Sequence, residues 1–139
     1  MISKAAKGFT LMELTIVLAL LAIIAAVLVP MFLNTTDRAR LRSDIQSARV
    51  IQNAMDLYRV ERGRTVAGDT VAVIMRNLEA AGYLDLRNAN IQTQDAVWVR
   101  DDTRGIVVDI HESPDGVHRA YANLSAAERI MVVRGRSSG

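Results

Sequence analysis

The charged residue Glu13 lies inside an otherwise apolar stretch, residues 9–33, with the sequence FTLMELTIVLALLAIIAAVLVPMFL. Placing a carboxylate in a membrane helix costs about 3 kcal/mol on insertion scales, so such an acid usually has a partner and a function. We therefore expect Glu13 to be a functional residue whose charge is paired with an opposite one.

A second group of residues that could do chemistry lies in the last third of the chain. It comprises His111, His118, Asp109, Glu112 and Asp115. On a strand, Asp109 and His111 would share a face, and His118 could approach them across a turn at Pro114. However, their spacing matches no recognised metal-ligand pattern, and polar residues beside a turn are usually solvated. We expect no metal and no cofactor.

Catalysis has no support in the sequence. The chain contains no nucleophile elbow, phosphate-binding loop, dinucleotide fingerprint or zinc-hydrolase helix. It also contains no cysteine, so its stability must come from packing rather than from disulfides. We therefore predict that the chain is not an enzyme.

The apolar stretch is long enough to span a membrane. At about 1.5 Å per residue, residues 9–33 would measure roughly 37 Å as a helix, against a hydrocarbon core of about 30 Å. A secretory signal peptide has a shorter apolar core and a small-residue cleavage site, whereas this stretch runs on through Pro30. Lys4 and Lys7 place the N-terminus in the cytoplasm, although basic residues on the far side oppose that orientation: Arg38, Arg40 and Arg42.

The segment KGFTLMELTIVLALLAIIAAVLVP resembles the N-terminal class III signal of type IV pilins and type II secretion pseudopilins. The resemblance implies that a prepilin peptidase removes the basic leader, residues 1–8, by cutting between Gly8 and Phe9, and that Phe9 is then N-methylated. It also implies a subunit stored in the inner membrane lipid, delivered to an inner-membrane assembly platform and polymerised as a homo-oligomeric filament outside the cytoplasm. Ala22 departs from the pattern, since many members carry glycine there.

Cleavage after Gly8 would expose a cationic amine four residues before Glu13, and pairing lowers the cost of both charges in apolar surroundings. The resemblance implies that Glu13 engages the Phe9 amine of a neighbouring subunit and so sets the register of packed helices. Pro30 leaves the carbonyl of Ala26 without its helical partner, so a kink is expected nearby. In the resembled family this region loosens on assembly, and Pro30 is therefore a third candidate assembly residue with Phe9 and Glu13.

Nucleic acid is a weaker candidate partner. Removal of the leader lysines lowers the basic count from 17 to 15, which equals the 15 acidic residues. Only Arg134 and Arg136 form a short basic tail, and the acids are otherwise interleaved with the arginines. Ordinary surface and subunit contacts are the simpler interpretation.

Beyond the apolar stretch, the sequence predicts one outer domain, residues 34–139. Apolar residues at three- and four-residue steps predict an amphipathic helix over 34–62 that ends at Gly63, and a short helix over 70–81. A change to period two predicts strands over 96–100, 105–111, 117–122 and 129–133, although residues 125–128 could instead open a helical turn. Asp85 to Asp95 is predicted to be a loop, and Trp98 is predicted to anchor the sheet to the helix.

Together these elements indicate an α+β, pilin-like fold, in which a long N-terminal helix packs its amphipathic half against a small antiparallel sheet of three or four strands. The leading hypothesis is a structural subunit of a type IV pilus-like filament. The alternative within the family is a pseudopilin of a type II secretion or DNA-uptake machine, whose filament would be periplasmic. An alternative of another class is a single-pass anchored binding module, which would need neither Gly8 before Phe9 nor Glu13.

Overall fold

The computed structural model describes residues 8–135. Most of the basic leader, including Lys4 and Lys7, lies outside the described residues, as does Arg136. The chain divides into two compact units with the boundary between Leu33 and Asn34. We call residues 34–135 the outer domain.

The first unit consists of the start of helix α1, Leu11–Arg62, which also continues into the outer domain. Every residue from Gly8 to Leu33 is exposed, and Pro30 lies inside the helix. α1 is long and apolar enough to cross a membrane, and none of its most apolar window is buried. A helix that is apolar all round and uncovered by its own chain requires lipid or other subunits around it.

In the outer domain, one face of α1 is buried. Its buried residues recur at three- and four-residue steps: Leu41, Asp44, Ile45, Ser47, Ala48, Ile51 and Ala54. The helix ends as expected at Gly63, which has a φ of +65° and donates its N–H to the carbonyl of Arg59 at 3.0 Å. Glycine adopts this left-handed conformation without steric cost, so it terminates helices readily.

Helix α2, Val71–Ala80, occupies the position of the short helix predicted over 70–81. Thr70 is its N-cap and accepts the N–H of Val73 on its side-chain oxygen. The apolar residues Val71, Ile74 and Leu78 are buried in the same core as the buried face of α1. Capping and apolar spacing therefore act together to place α2 on the core.

The sheet has three strands in the order β1, β2, β3. Strands β1, Val97–Asp101, and β2, Gly105–Asp109, form an antiparallel hairpin with Val97 opposite Asp109. Gly105 has a φ of +79° in the connecting turn, where a side chain would be strained. The strand predicted over 105–111 begins at Gly105 as expected but ends two residues early, at Asp109, so His111 lies beyond it.

The α+β fold with a long helix against a small sheet is confirmed, but the sheet is mixed rather than antiparallel. The third strand, β3, is only Val132–Val133, within the predicted strand over 129–133, and pairs with β2 in parallel. A parallel strand needs a crossover of about a dozen residues or more. The connection from Ile110 to Met131 supplies it and contains two helices.

The predicted strand over 117–122 is wrong, because this segment is helix α3, Asp115–Ala122. Its buried residues, Val117 and Ala120, are three residues apart, and Leu124 continues the stripe. The helical turn expected as an alternative at residues 125–128 is present. Ser125 and Glu128 form a reciprocal capping box that starts helix α4, Ala126–Arg129.

The loop between α2 and β1 is irregular, as predicted, apart from a 3-10 turn at Leu86–Asn88. It is bound to α1 by Asp44, whose side chain is fully buried. The two carboxylate oxygens of Asp44 accept the backbone N–H groups of Gln92 and Thr93, each at 2.8 Å. A buried carboxylate needs such donors, so the loop and the acid stabilise each other.

Candidate processing and assembly site

Both residues of the predicted cleavage point are exposed. Gly8 is exposed, and a Cβ atom at this position would have no neighbour within 4 Å among the described residues. Phe9 is 85% exposed. The described part of the fold therefore does not require glycine at position 8.

Glu13 forms a capping box with Thr10 at the start of α1. Its Oε2 atom accepts the backbone N–H of Thr10 at 3.0 Å and the Thr10 hydroxyl at 3.3 Å. The backbone N–H of Glu13 in turn donates to Thr10 Oγ1 at 3.2 Å. This reciprocal arrangement satisfies N–H groups that a helix start leaves unpaired, and the helix dipole favours the carboxylate there.

Gly8, Phe9, Thr10 and Glu13 line one shallow concavity at the start of the helix. The structure therefore brings three of the four predicted site residues together: Gly8, Phe9 and Glu13. Pro30 lies further along α1 and is not part of this group.

Thr10 is a residue that the sequence interpretation missed. Its signal was present, because Thr10-Leu11-Met12-Glu13 has the spacing of a capping box before an apolar run. Asp44 was also missed, because nothing next to it in the sequence distinguishes it from the other charged residues of the amphipathic helix. No local pattern reveals its partners, which lie 48 and 49 residues away.

The two histidines lie on different parts of the fold, since His111 follows β2 and His118 lies in α3. Asp109 accepts the backbone N–H of His111, while His111 Nε2 lies 3.8 Å from Glu112 Oε1. His118 belongs to α3 rather than to a strand, so the arrangement expected across the Pro114 turn is wrong. Among residues 8–135, no group of three or more acidic, histidine or cysteine side chains is placed to hold a metal ion.

Two further expectations concern Arg134 and Trp98. The Arg134 guanidinium lies 5.3 Å from the ring centre of Tyr121, which is cation–π geometry. Arg134 therefore packs on its own domain. The Trp98 indole N–H donates to the backbone carbonyl of Asp44 on α1 at 3.4 Å, in agreement with its predicted anchoring role.

The start of the chain matches a known motif. Residues 3–29 match the family model described as the prokaryotic N-terminal methylation motif. The match contains all the residues around the predicted cleavage point together with Glu13. The chain therefore carries the N-terminal motif that defines prepilin-type proteins.

Curated relatives extend this similarity. Type II secretion system core protein G of Escherichia coli (strain K12) is 22% identical over 120 residues, which cover 79% of this chain and 83% of the relative. Prepilin peptidase-dependent protein A of Clostridium perfringens is 31% identical over 96 residues, covering 69% and 59%. A fimbrial protein of Neisseria meningitidis serogroup B is 36% identical over 76 residues, covering 55% and 45%. No solved structure matches the chain.

The chain carries the N-terminal prepilin motif, and its relatives are a type II secretion system core protein, a prepilin peptidase-dependent protein and a fimbrial protein. The family resemblance found in the N-terminal residues is thereby confirmed. The relatives named above are structural subunits and not enzymes, in agreement with the absence of a catalytic motif from this sequence. Its apolar helix and its family together indicate membrane anchoring and assembly into filaments.

Proposed function

We propose that this chain is a structural subunit of a type IV pilus-like filament, cleaved by a prepilin peptidase between Gly8 and Phe9. Phe9 becomes the N-methylated first residue, and residues 9–33 form the assembly helix. The observation that carries the proposal is the single carboxylate of Glu13, which stands beside the cleavage point in a helix segment that its own chain leaves uncovered.

The chemistry of this site depends on cleavage. Before cleavage, the nitrogen of Phe9 is an uncharged amide; after it, the same nitrogen is a cationic amine. At about 4 Å, two opposite charges attract by roughly 4 kcal/mol at an effective dielectric constant of 20, and apolar surroundings strengthen the attraction. Glu13 would then pair with the Phe9 amine of a neighbouring subunit and set the axial register, while Pro30 permits the helix to loosen as subunits pack.

Partners and location follow from the same scheme. The subunit is stored as a single-pass protein of the inner membrane, with its N-terminus in the cytoplasm and residues after 34 on the other side. Membrane lipid covers residues 9–33 during storage. The prepilin peptidase and an inner-membrane assembly platform act on the subunit before it enters the extracellular or periplasmic filament.

A second candidate within the family is a pseudopilin of a type II secretion or DNA-uptake machine. Its support is the extent of the alignment to type II secretion system core protein G, which covers 83% of that relative and so includes outer-domain residues. The fimbrial protein is more identical, but the alignment covers only 45% of its length. In the pseudopilin case the filament would be short and periplasmic.

The test uses the full-length chain in its own cells. Mass spectrometry of the mature subunit should give an N-terminus at Phe9 with one added methyl group. Electron microscopy should show surface filaments that contain the subunit, and Glu13→Ala should be cleaved normally yet form at least about tenfold fewer filaments. Thr15→Ala is the matched control, because Thr15 is an exposed polar residue of the same helix that bonds only to the carbonyl of Leu11.

Normal filaments from Glu13→Ala would contradict the role of Glu13. An N-terminus other than Phe9 would contradict the processing step. Two observations together would favour the pseudopilin: wild-type cells form no surface filaments, and deletion of the gene abolishes protein secretion.

A further inference from the structure

The outer domain exposes three large apolar side chains on one face of α1. Val50 is 45% exposed, Leu57 is 49% exposed and Val60 is 81% exposed. Steps of seven and three residues bring them to the same side of a helix. They lie away from the buried face that contains Leu41 and Ala48. We call these three residues the apolar ridge.

An apolar groove of about 470 Å³ lies elsewhere on the same domain, between α2, the following loop and β1. Its lining includes Met75, Leu86, Ile91, Val97, Trp98 and a single charged residue, Arg76. Arg76 makes no hydrogen bond or ion pair with any residue between 8 and 135. Val97 belongs to β1, an edge strand of the sheet, and is 55% exposed.

The groove is held open by contacts within the domain. Asp44 binds the backbone of Gln92 and Thr93 through its carboxylate and the Trp98 indole through its carbonyl. One wall and the strand beside it are therefore attached to α1. A preformed groove binds more tightly than one that must first be ordered, because the ordering cost has already been met by folding.

The charges beside the two surfaces are complementary. The acidic residues Asp56 and Glu61 flank the Leu57 and Val60 end of the apolar ridge. One oxygen of Asp56 accepts from Gln52, and one oxygen of Glu61 accepts from Tyr83, so each carboxylate retains an oxygen for another donor. Arg49 stands beside Val50, at the other end of the apolar ridge. If the two surfaces were in contact, Arg76 of the groove would therefore lie beside the acidic end of the apolar ridge, at Leu57 and Val60.

We propose that the apolar ridge of one subunit packs into the apolar groove of the next, with Arg76 facing the acidic end of the ridge. The two surfaces are different patches of one chain, so the contact is heterologous. Heterologous contacts that do not close into a ring generate open helical filaments. The inference rests on the proposed filament function and adds a lateral contact between outer domains to it.

A cysteine crosslink tests this contact directly, because the chain contains no cysteine of its own. The full-length variant Leu57→Cys with Val97→Cys, made in the native cells and mildly oxidised, should give a ladder of covalent multimers. We expect about ten times the background of either single variant, since a disulfide forms only when the two Cα atoms come within about 7 Å. Both positions are about half exposed, so the substitutions leave the core intact.

The matched control pairs Val97→Cys with Arg59→Cys. Arg59 is exposed on α1 only two residues from Leu57, but a step of about 200° places it on the opposite side of the helix. This pair should remain at background. Arg76→Glu in the Leu57 and Val97 pair should reduce the ladder several-fold, whereas Arg76→Lys should retain it.

Filaments without a ladder above background would overturn the contact while leaving the filament function in place. An equally strong ladder from the Arg59 control would also overturn it, because it would indicate collision rather than packing. If the unsubstituted chain forms no filaments, the proposed function fails and the contact fails with it.

Discussion

Two of the carboxylates on helix α1, those of Glu13 and Asp44, have opposite surroundings. Glu13 is exposed and, within residues 8–135, bonds only to Thr10, three residues away, whereas Asp44 is fully buried and bonds to a loop nearly 50 residues away. Asp44 is committed to the fold of its own domain. Glu13 is held by one local contact and remains available to a partner. The fold of the outer domain explains Asp44, whereas the local contact of Glu13 does not explain a charge in an apolar segment, and the proposed assembly role supplies that explanation.

The two units differ in the same way. The apolar side chains of residues 9–33 are all exposed, while the outer domain buries a set of apolar side chains in a core shared by α1, α2 and the sheet. Equivalent substitutions should consequently have different effects in the two units. Trp98 reports on the outer domain specifically, because it is the only tryptophan of the chain.

The largest expected difference is between two leucines. Leu78→Ala should lower the free energy of unfolding by about 3 kcal/mol, because Leu78 is fully buried and its truncation leaves a cavity. Leu18→Ala should change it by less than about 0.5 kcal/mol, since Leu18 is 58% exposed. Denaturant unfolding of the full-length chain in mild detergent, followed by Trp98 fluorescence, measures both. Similar losses from both variants would mean that the two units unfold as one.

The next difference is between the two acids. Asp44→Asn should cost about 2 kcal/mol of unfolding free energy, because an amide cannot accept both backbone N–H groups and places its own N–H against one of them. Glu13→Gln should leave the Trp98 unfolding transition unchanged. Asp56→Asn is a matched control on the same helix, exposed and bonded to Gln52 alone. If Asp56→Asn lowered the free energy of unfolding as much as Asp44→Asn, the buried acid would not differ from an exposed one in its contribution to stability.

A smaller effect is expected at the helix start. Thr10→Ala should destabilise the first turn of α1 by about 1 kcal/mol, because the N-cap hydroxyl is lost. Amide hydrogen exchange at residues 11–14 should accelerate about fivefold, with the outer domain unaffected. Thr10→Ser should restore the slow exchange. Unchanged exchange in Thr10→Ala would show that the capping box is not what holds Glu13.

The smallest effect is a pH dependence confined to the outer domain. Hydrogen bonds from the Arg104 side chain and the nearby backbone lower the pKa of Asp101 from 3.8 to about 2. The Ser125 backbone N–H, then its side chain and Arg42, lower the pKa of Glu128 from 4.5 to about 2. Because the folded-state pKa values are depressed, the stabilisation is complete above about pH 4.5 and is lost as the pH falls towards 2.

Thermal unfolding followed by Trp98 fluorescence between pH 2 and pH 6 measures this dependence. Arg104→Gln should flatten the part that comes from Asp101, while Arg119→Gln, an exposed arginine of α3, should leave the profile unchanged. A profile unaffected by Arg104→Gln would contradict the assigned cause.

Periodicity predicted α1 and α2 well because both combine an apolar stripe with strong end signals, Gly63 and Thr70. The hairpin β1–β2 was readable for a similar reason, since polar residues separate two runs of period two. The third helix was misread because Val117 to Ala122 is short enough to resemble an alternating strand. Its helical spacing emerges only when Leu124 is included.

The direction of β3 and the role of Asp44 could not be read from local pattern. β3 has two residues and pairs with a strand whose partner residue, Val108, is more than 20 residues earlier. Asp44 looks like any charged residue of an amphipathic helix until the loop that it binds is placed. Both depend on contacts distant in sequence, whereas the candidate site at the start of α1, residues 8–13, is contiguous, and Thr10 alone was overlooked there.

The empty space around Gly8 has a genetic consequence. A side chain introduced there meets none of the described residues, 8–135, so under the proposed processing scheme the precursor should accumulate in a folded form and escape quality control. Mutations at this codon would therefore resemble loss of the processing enzyme rather than loss of the subunit. A suppressor screen starting from such an allele should recover changes in the enzyme's binding pocket, and the gene that carries them would be the gene of that enzyme.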